Sequence, residues 1–285
     1  MTRHLLTAAF ALAALATVAA SPSRADDWSK SYPVTGRPTL NVTTGDGNVV
    51  IAGSNKSTID AHITTTGYKL GPNDVQVVES QNGNTVTIQI NFPHMSWHWN
   101  SGRRDLTITL EVPTDLDMKI VTSDGNVSAT TVNGNLDLQS GDGNISAKQV
   151  RGAVKLHTGD GNVDGAGFDG SLEATTGDGN LKIEGRFDSL NLKSGDGSID
   201  AQANIGSKIA SAWGLHSGDG RVTLRVPGDL NADVDAHTGD GSISMDIPVA
   251  VSGSLSHSSI RGKMNQGGGE LKISSGDGSI HIEKL

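Results

Sequence analysis

The sequence predicts an all-β chain: a parallel β-helix or β-solenoid with 18-residue coils and an N-terminal β cap. Three observations carry that prediction. The first is a turn of the form S/T-G/S-D-G-x followed by an aliphatic residue. It is written nine times, around Asp46, Asp124, Asp142, Asp160, Asp178, Asp196, Asp219, Asp240 and Asp277, and every gap from Asp124 to Asp196 is 18 residues. A fixed period signals stacked units, each burying its apolar face against the next. The second is parity: the residues six and four before each Asp, and three after it, are apolar, as in Leu136, Leu138 and Ile145 around Asp142. Alternation on both sides of a turn describes two short strands with one buried face each. The third is that helical periodicity is absent from residue 26 onward.

Residues 1–25 read as a secretory leader, with Arg3 and His4 before an apolar run from Leu5 to Ala20 and a Ser23-Arg24-Ala25 cleavage site; cleavage after Ala20 is the alternative. The run lies near the short end for a bilayer span, which favours a cleaved signal over a retained anchor. Residues 26–112 form the expected β-rich cap and first coil. They contain the Asp46 turn and alternating stretches at 59–63, 75–78 and 86–90, the last two flanking the hairpin signal Asn82-Gly83. Residues 113–285 hold the solenoid repeats, and 26–285 form one continuous domain.

Within a repeat, the position two before the Asp is always Ser or Thr, a small residue suited to a tight corner. Glycine beside the Asp is expected to supply positive φ, and the Asp to bond nearby amides in an Asx-type turn. A second corner is marked by Val132, Val150 and Phe168, each followed by a glycine two residues on. Gaps of 23, 21 and 37 residues after Asp196 accommodate insertions, including a polar loop over 252–269. An antiparallel meander satisfies the same parity, but it has no need of a constant repeat, so the spacing favours the solenoid.

Only 4% of the 285 residues are aromatic and 37 are glycine, so the core must be aliphatic and thin. The chain has no cysteine, which excludes disulfides, thiolate metal sites and an acylated lipoprotein N-terminus. Its formal charge of −9 argues against nucleic acid and anionic lipid as partners. No second apolar run reaches spanning length, so export leads to the periplasm or the extracellular space, with no stable membrane span after signal cleavage.

The segments ITLEVPTDLDMKIVTSDGNV (Ile108 to Val127) and VTLRVPGDLNADVDAHTGDGSI (Val222 to Ile243) share a V-P-x-D-L element ahead of a GDG-type turn. With the repeated SGDGNI and TGDGNV corners, they resemble the bacterial putative-adhesin family. This is a domain-of-unknown-function family of secreted or envelope β-strand-repeat proteins related to head-GIN adhesin-like domains. The resemblance covers about residues 40–285. It implies a right-handed β-helix-like fold and a role in adhesion or envelope interaction, and it brings no catalytic residues.

Several groups are candidates for chemistry. A ladder of Asp142, Asp160, Asp178 and Asp196 at about 4.8 Å would carry about 0.9 kcal/mol of repulsion per neighbouring pair in water. Calcium could relieve it, yet calcium β-rolls place G-G-x-G-x-D on both corners and this chain has one acidic corner per repeat. Without calcium, each carboxylate is satisfied by local glycine and Asn amides and stays solvated. Asn48, Asn126, Asn144, Asn162 and Asn180 form an expected amide ladder. Arg221 interrupts it, either between Asp219 and Asp240 or simply solvated. His157, His216 and His237 share an outward position, and His216 and His237 would neighbour each other near Asp235, a weak zinc arrangement beside the plainer reading of exposed polar residues.

The segment His94-Met95-Ser96-Trp97-His98-Trp99 holds two of the four tryptophans beside Arg103-Arg104. His94, Trp97, His98 and Trp99 are the ligand-contact candidates, for a glycan or an envelope protein, or else the rings cap the end of the solenoid. No nucleophile elbow, P-loop or isolated carboxylate pair appears. The function expected is a non-enzymatic adhesin-like binding or scaffold module. A structural or stress-sensing envelope protein and a polysaccharide-active β-helix enzyme are the rivals.

Overall fold

The computed structural model describes residues 26–92, 104–251 and 256–285. Among them there is no helix, and 21 strands join in one unclosed sheet. The chain enters through β1 (Asp26–Pro33), and β2 (Thr39–Thr44) and β3 (Asn48–Ser54) flank the Asp46 turn. After β4 (Thr58–Thr66), β5 (Gln76–Asn82) and β6 (Thr85–Asn91) form the antiparallel hairpin expected at Asn82-Gly83, with Gly83 at φ 57°. Next come β7 (Asp105–Pro113) and β8 (Asp117–Thr122). Four 14-residue strands follow: β9 (Val127–Ser140), β10 (Ile145–Thr158), β11 (Val163–Thr176) and β12 (Leu181–Ser194). Shorter strands complete the chain: β13 (Ile199–Ala203), β14 (Trp213–Ser217), β15 (Val222–Val226), β16 (Ala232–Thr238), β17 (Ile243–Met245), β18 (Val249–Val251), β19 (Ser259–Met264), β20 (Gly269–Ser275) and β21 (Ile280–Lys284).

The two strand segments joined by one GDG-type turn make a layer, and layers stack by parallel pairing. Val127, Ile145, Val163, Leu181 and Ile199 are successive partners across five layers. Leu136, Val154, Leu172 and Leu190 do the same on the other side of the turn. The inward columns are buried as their parity requires: Leu40, Leu138, Ile145, Leu192, Leu215 and Ile273 are all at most 1% exposed. Three aromatic rings interrupt the aliphatic filling, Phe168 against Phe187 (6.3 Å between centroids) and Phe187 against Trp213 (6.4 Å). Gly165 and Gly185 make room for Phe168, since a Cβ on either would overlap it.

At both ends the stacking order departs from chain order. β2 lies between β6 and β8, and β3 between β7 and β9, so β6 and β7 cover the Asp46 layer from outside. At the far end β20 lies between β14 and β16, and β21 between β15 and β17. The Asp277 layer therefore separates the Asp219 layer from the Asp240 layer. Both departures are made at a V-P-x-D-L corner. Val112–Leu116 carries the chain from β7 past the Asp46 layer to β8, and Val226–Leu230 carries it from β15 past the Asp277 layer to β16. Proline suits such a step because it fixes φ and offers no N–H to the ladder. Leu116 and Leu230 pin each corner, buried at 0% and 5% exposure.

Antiparallel strands close each end of the stack. β4 pairs with β7 and β1 with β4, β5 pairs with β6, and at the other end β19 pairs with β16 and β18 with β19. Covering a parallel stack in this way limits the open edge left for other chains.

The glycines of the turns act differently from expectation. Of the glycines flanking the nine aspartates, Gly47 has a left-handed-side φ, 145°, and the others do not. What they provide is close approach. A Cβ on Gly159 would lie 2.6 Å from the Gly141 carbonyl oxygen, and one on Gly143 or Gly179 would overlap the carbonyl of the layer before. Positive φ is found at the second corner instead, at Thr131 (58°), Gln149 (53°) and Gly167 (72°), and again at Gly152 (112°) and Gly170 (139°).

Candidate functional site

The acidic edge is built by backbone bonds that leave its carboxylates unused. In the Asp142 turn, Gly141 N–H donates to Thr122 O (3.1 Å) and Asp142 N–H to Ser123 O (3.0 Å). Gly143 N–H donates to Ser140 Oγ (3.0 Å) and Asn144 N–H to Asn126 Oδ1 (2.9 Å). With those donors engaged, no Asx-type bond forms, and the side chains of Asp142, Asp160, Asp178 and Asp196 face solvent without a hydrogen bond from a described residue. Among the described residues no three His, Asp or Glu side chains converge to hold a metal ion.

The Ser/Thr column does more than fit a corner. Each of these side chains is buried, and from Thr122 onward each ties two layers together, while Thr44 Oγ1 donates within its own turn to Asp46 O (3.2 Å). Ser140 Oγ donates to Gly125 O (2.8 Å) in the preceding layer while accepting from its own Gly143 N–H (3.0 Å). Thr176 repeats the arrangement with Gly161 O (2.8 Å) and Gly179 N–H (3.2 Å), and Ser194 with Gly179 O and Gly197 N–H (both 2.9 Å). Its unbroken Ser/Thr identity at one buried position was the signal available in the sequence. The asparagine ladder forms as expected, with Nδ2 of Asn126, Asn144, Asn162 and Asn180 donating to Oδ1 of the preceding Asn at 3.1 to 3.3 Å. It ends where Ser198 N–H donates to Asn180 Oδ1 (2.8 Å).

Two expected neighbours are separated by the reordered layers. His157, His216 and His237 are exposed, but both His216 and His237 pair in register with Ser274, whose layer stands between them. His216 Nδ1 lies 2.8 Å from Ser274 Oγ. Arg221 likewise does not bridge Asp219 and Asp240. Its carbonyl accepts from Ile199 N–H (2.9 Å), and Val222 N–H donates to Ser279 O (3.0 Å), so the Asp277 layer intervenes there too.

His94, Trp97, His98 and Trp99 lie outside the described residues. Their flanks are defined. The outermost parallel layer, β6 with β7, has no GDG motif, and residues 92–104 are what the sequence places between its two strands. Phe92 packs near Gly45, and its ring meets Tyr68 edge-on at 5.6 Å. The Arg104 guanidinium sits 5.3 Å from the Tyr68 ring centroid. Burial, followed by the neighbouring Asp124 carboxylate, pushes the Asp46 carboxyl above the usual range. Burial and the Asp46 charge push the Tyr68 phenol up, against the opposing charge of Arg104.

The broad faces are polar and carry ion pairs between adjacent layers. Lys119 meets Asp137 (3.3 Å) and Lys155 meets Glu173 (3.2 Å) in adjacent layers. Arg225 bridges Asp200 (2.5 Å) and Glu283 (3.0 Å). Shallow grooves of about 410 and 620 Å³ run over these columns, one beside Lys155, Glu173 and Lys272, the other beside Arg221, Arg225 and His281. Among the described residues there are three cross-strand Ser–His pairs, Ser29–His62 (2.6 Å), His216–Ser274 (2.8 Å) and Ser244–His281 (2.6 Å). In each the serine uses Nδ1, and no described carboxylate bonds the ring, so none reproduces a Ser-His-Asp geometry.

The chain is similar to several solved structures. A protein described as a putative lipid binding protein from Parabacteroides distasonis ATCC 8503 superposes with a TM-score of 0.54 at 16% identity, covering 90% of this chain and 96% of that one. A putative cell adhesion protein from Clostridium sporogenes ATCC 15579 matches with a TM-score of 0.32 at 14% identity over 92% and 100% of the two chains. A putative adhesin from Bacteroides fragilis NCTC 9343 matches with a TM-score of 0.39 at 15% identity over 91% and 97%. No curated protein matches the sequence. The Toastrack DUF4097 description matches residues 38–283, from just before the Asp46 layer into the final strand, and the chain belongs to that family.

Proposed function

We propose that this protein is a non-enzymatic, adhesin-like binding or scaffold module of the bacterial cell envelope, exported by its leader to the periplasm or beyond. In this reading the layers are 18-residue solenoid coils and residues 26–112 are their cap and first coil. The observation that carries the reading is the replaced corner. Nine layers have a short acidic turn between their two strand segments, whereas in the outermost parallel layer the sequence between β6 and β7 is residues 92–104, which hold two of the four tryptophans and whose described flanks are Phe92, against Tyr68, and Arg104, over the Tyr68 ring. Trp97 and Trp99 supply rigid apolar area, and His94 and His98 supply polar edges, for a glycan or a cell-surface protein. Shallow, polar faces and the absence of an acid-backed Ser–His pair among the described residues support a binding role over catalysis. Names given to proteins of similar fold, adhesins among them, agree with it.

The test is a glycan and envelope-polymer array probed with residues 26–285, with and without calcium. Binding should weaken about tenfold or more in Trp97→Ala and Trp99→Ala, the loss of a contact worth about 1.4 kcal/mol or more. Unchanged binding in both variants would remove the tryptophans from the role, and release of oligosaccharides from any polymer would replace the reading with an enzymatic one. Calcium dependence would assign the Asp142, Asp160, Asp178 and Asp196 column a part in it.

A further inference from the structure

We infer that residues 269–285, the Asp277 layer, are an exchangeable insert, and that the slot they fill is an interaction surface for the same layer of a second copy of this chain. The slot is set by the rest of the fold. Its lower wall is β14 and β15 and its upper wall is β16 and β17, and the Val226–Leu230 corner joins those walls across the height of the missing layer. Because Pro227 holds that corner off the ladder, the gap belongs to the path of the chain before the insert arrives.

The insert is held by contacts that a second copy would reproduce one for one. Leu271 pairs with Trp213 below and Val234 above, and Ile280 pairs with Val222 below and Ile243 above. Ser275 Oγ donates to Gly220 O (2.9 Å), Thr238 Oγ1 donates to Gly278 O (2.8 Å), and Arg225 pairs with Glu283 (3.0 Å). Exchange of an identical element keeps all of these bonds, which makes it a low-cost route to a dimer. With no cysteine in the chain, no disulfide fixes the insert to its own copy.

The connection supplies the hinge. Between β19 and β20 the chain turns over the end of β16 in four residues, 265–268, three of them at positive φ: Asn265 (55°), Gly267 (73°) and Gly268 (157°). Asn265 is a side-chain-bearing residue in the left-handed region, held there by bonds from its Nδ2 to Gly228 O (3.1 Å) and Leu230 O (2.7 Å). A short hinge is the feature that invites swapping, because its two glycines let the backbone open while every strand pairing of the layer is remade in a second copy. The Asp46 layer, tucked in by the same kind of corner at the other end, is flanked on both sides by paired strands, β1 before it and β4 after it, and is tied in place.

The experiment uses two full-length single variants, His216→Cys and Ser274→Cys, at positions that face each other across the slot wall. The two are mixed at high concentration, partly unfolded in denaturant, returned to native buffer and treated with a short thiol-to-thiol crosslinker. The doubly substituted chain, which crosslinks within itself, calibrates the yield. The expected result is a species of doubled mass carrying a link between position 216 of one chain and 274 of another, and far less of it when the unfolding step is omitted. Monomer alone, or a dimer without that link, would overturn the inference.

Discussion

The middle of the stack and its ends are made of the same layer but assembled by different rules. From Asp124 to Asp196 each layer is laid directly on the one before, and the columns beside the acidic turns stay in register, with the shifts between β11 and β12 confined to the second corner, at Ala166/Phe168 and Gly170/Ser171. At the ends the chain steps over a layer at V-P-x-D-L and leaves a place that residues 39–54 fill on one side and 269–285 on the other. The difference teaches that the columns set which residues face inward, while the corners set which layers touch.

Breaking the middle should cost most where backbones meet. Gly143→Ala places a methyl on the Gly125 carbonyl, with no flexible atom to yield, and is expected to destabilise by about 3 kcal/mol. Gly45→Ala at the end of the stack meets the Phe92 ring at 3.2 Å, a side chain that can shift, and should cost well under half as much. Chemical denaturation of the two variants measures the contrast, and equal losses would mean that close stacking is not what these glycines provide.

The hydroxyl relay gives a smaller difference. Thr176→Val keeps the shape but strips a partner from the Gly161 carbonyl and the Gly179 amide, both in buried residues, so about 2 kcal/mol should be lost. In the terminal Asp240 layer, Thr238→Val disturbs Gly278 and Gly241, which are partly exposed and can turn to water. Its loss should be clearly smaller in the same denaturation series.

Charge gives the smallest effect and separates two parts of the N-terminal end. Hydrogen bonding from Arg37 holds the Asp117 carboxyl below its usual range, and Arg186 does the same for Asp188. Their contribution is complete above the ordinary aspartate range and is lost as pH falls through their depressed values. Asp46, held high by burial and Asp124, behaves oppositely: it favours the fold when protonated and withdraws that support as pH rises through its raised value. Asp46→Asn should therefore melt slightly higher than the parent near neutral pH, and the two should converge below the carboxylate range. An equal gain at both pH values would show that the charge at Asp46 is not the cause.

Much of this was legible in the sequence because it depends on local parity. Leu136, Leu138 and Ile145 point inward wherever their layer sits, and Asn82-Gly83 turns a hairpin without help from the rest of the chain. The order of layers was not legible, since His216, His237 and Ser274 occupy equivalent positions and any order satisfies their columns. The turn glycines were misread for a related reason: positive φ is a property of one residue, whereas the need at Gly143 arises from a carbonyl in another layer. The carboxylates of Asp142 and its counterparts looked anchored for as long as the donors of their own turn seemed free. The candidates His94, Trp97, His98 and Trp99 stand on the sequence together with the flanking geometry of Phe92, Tyr68 and Arg104.

The parallel pairing of β9 through β12 has a consequence for length. Each of these strands meets its neighbours above and below through equivalent glycine, Ser/Thr and aliphatic positions. Duplicating or deleting one 18-residue unit there would change the separation of the two end structures by about 4.8 Å and leave both ends as they are. The midsection is thus a ruler whose graduations are written in the gene, and a lineage could tune how far apart it holds its ends by copying number alone.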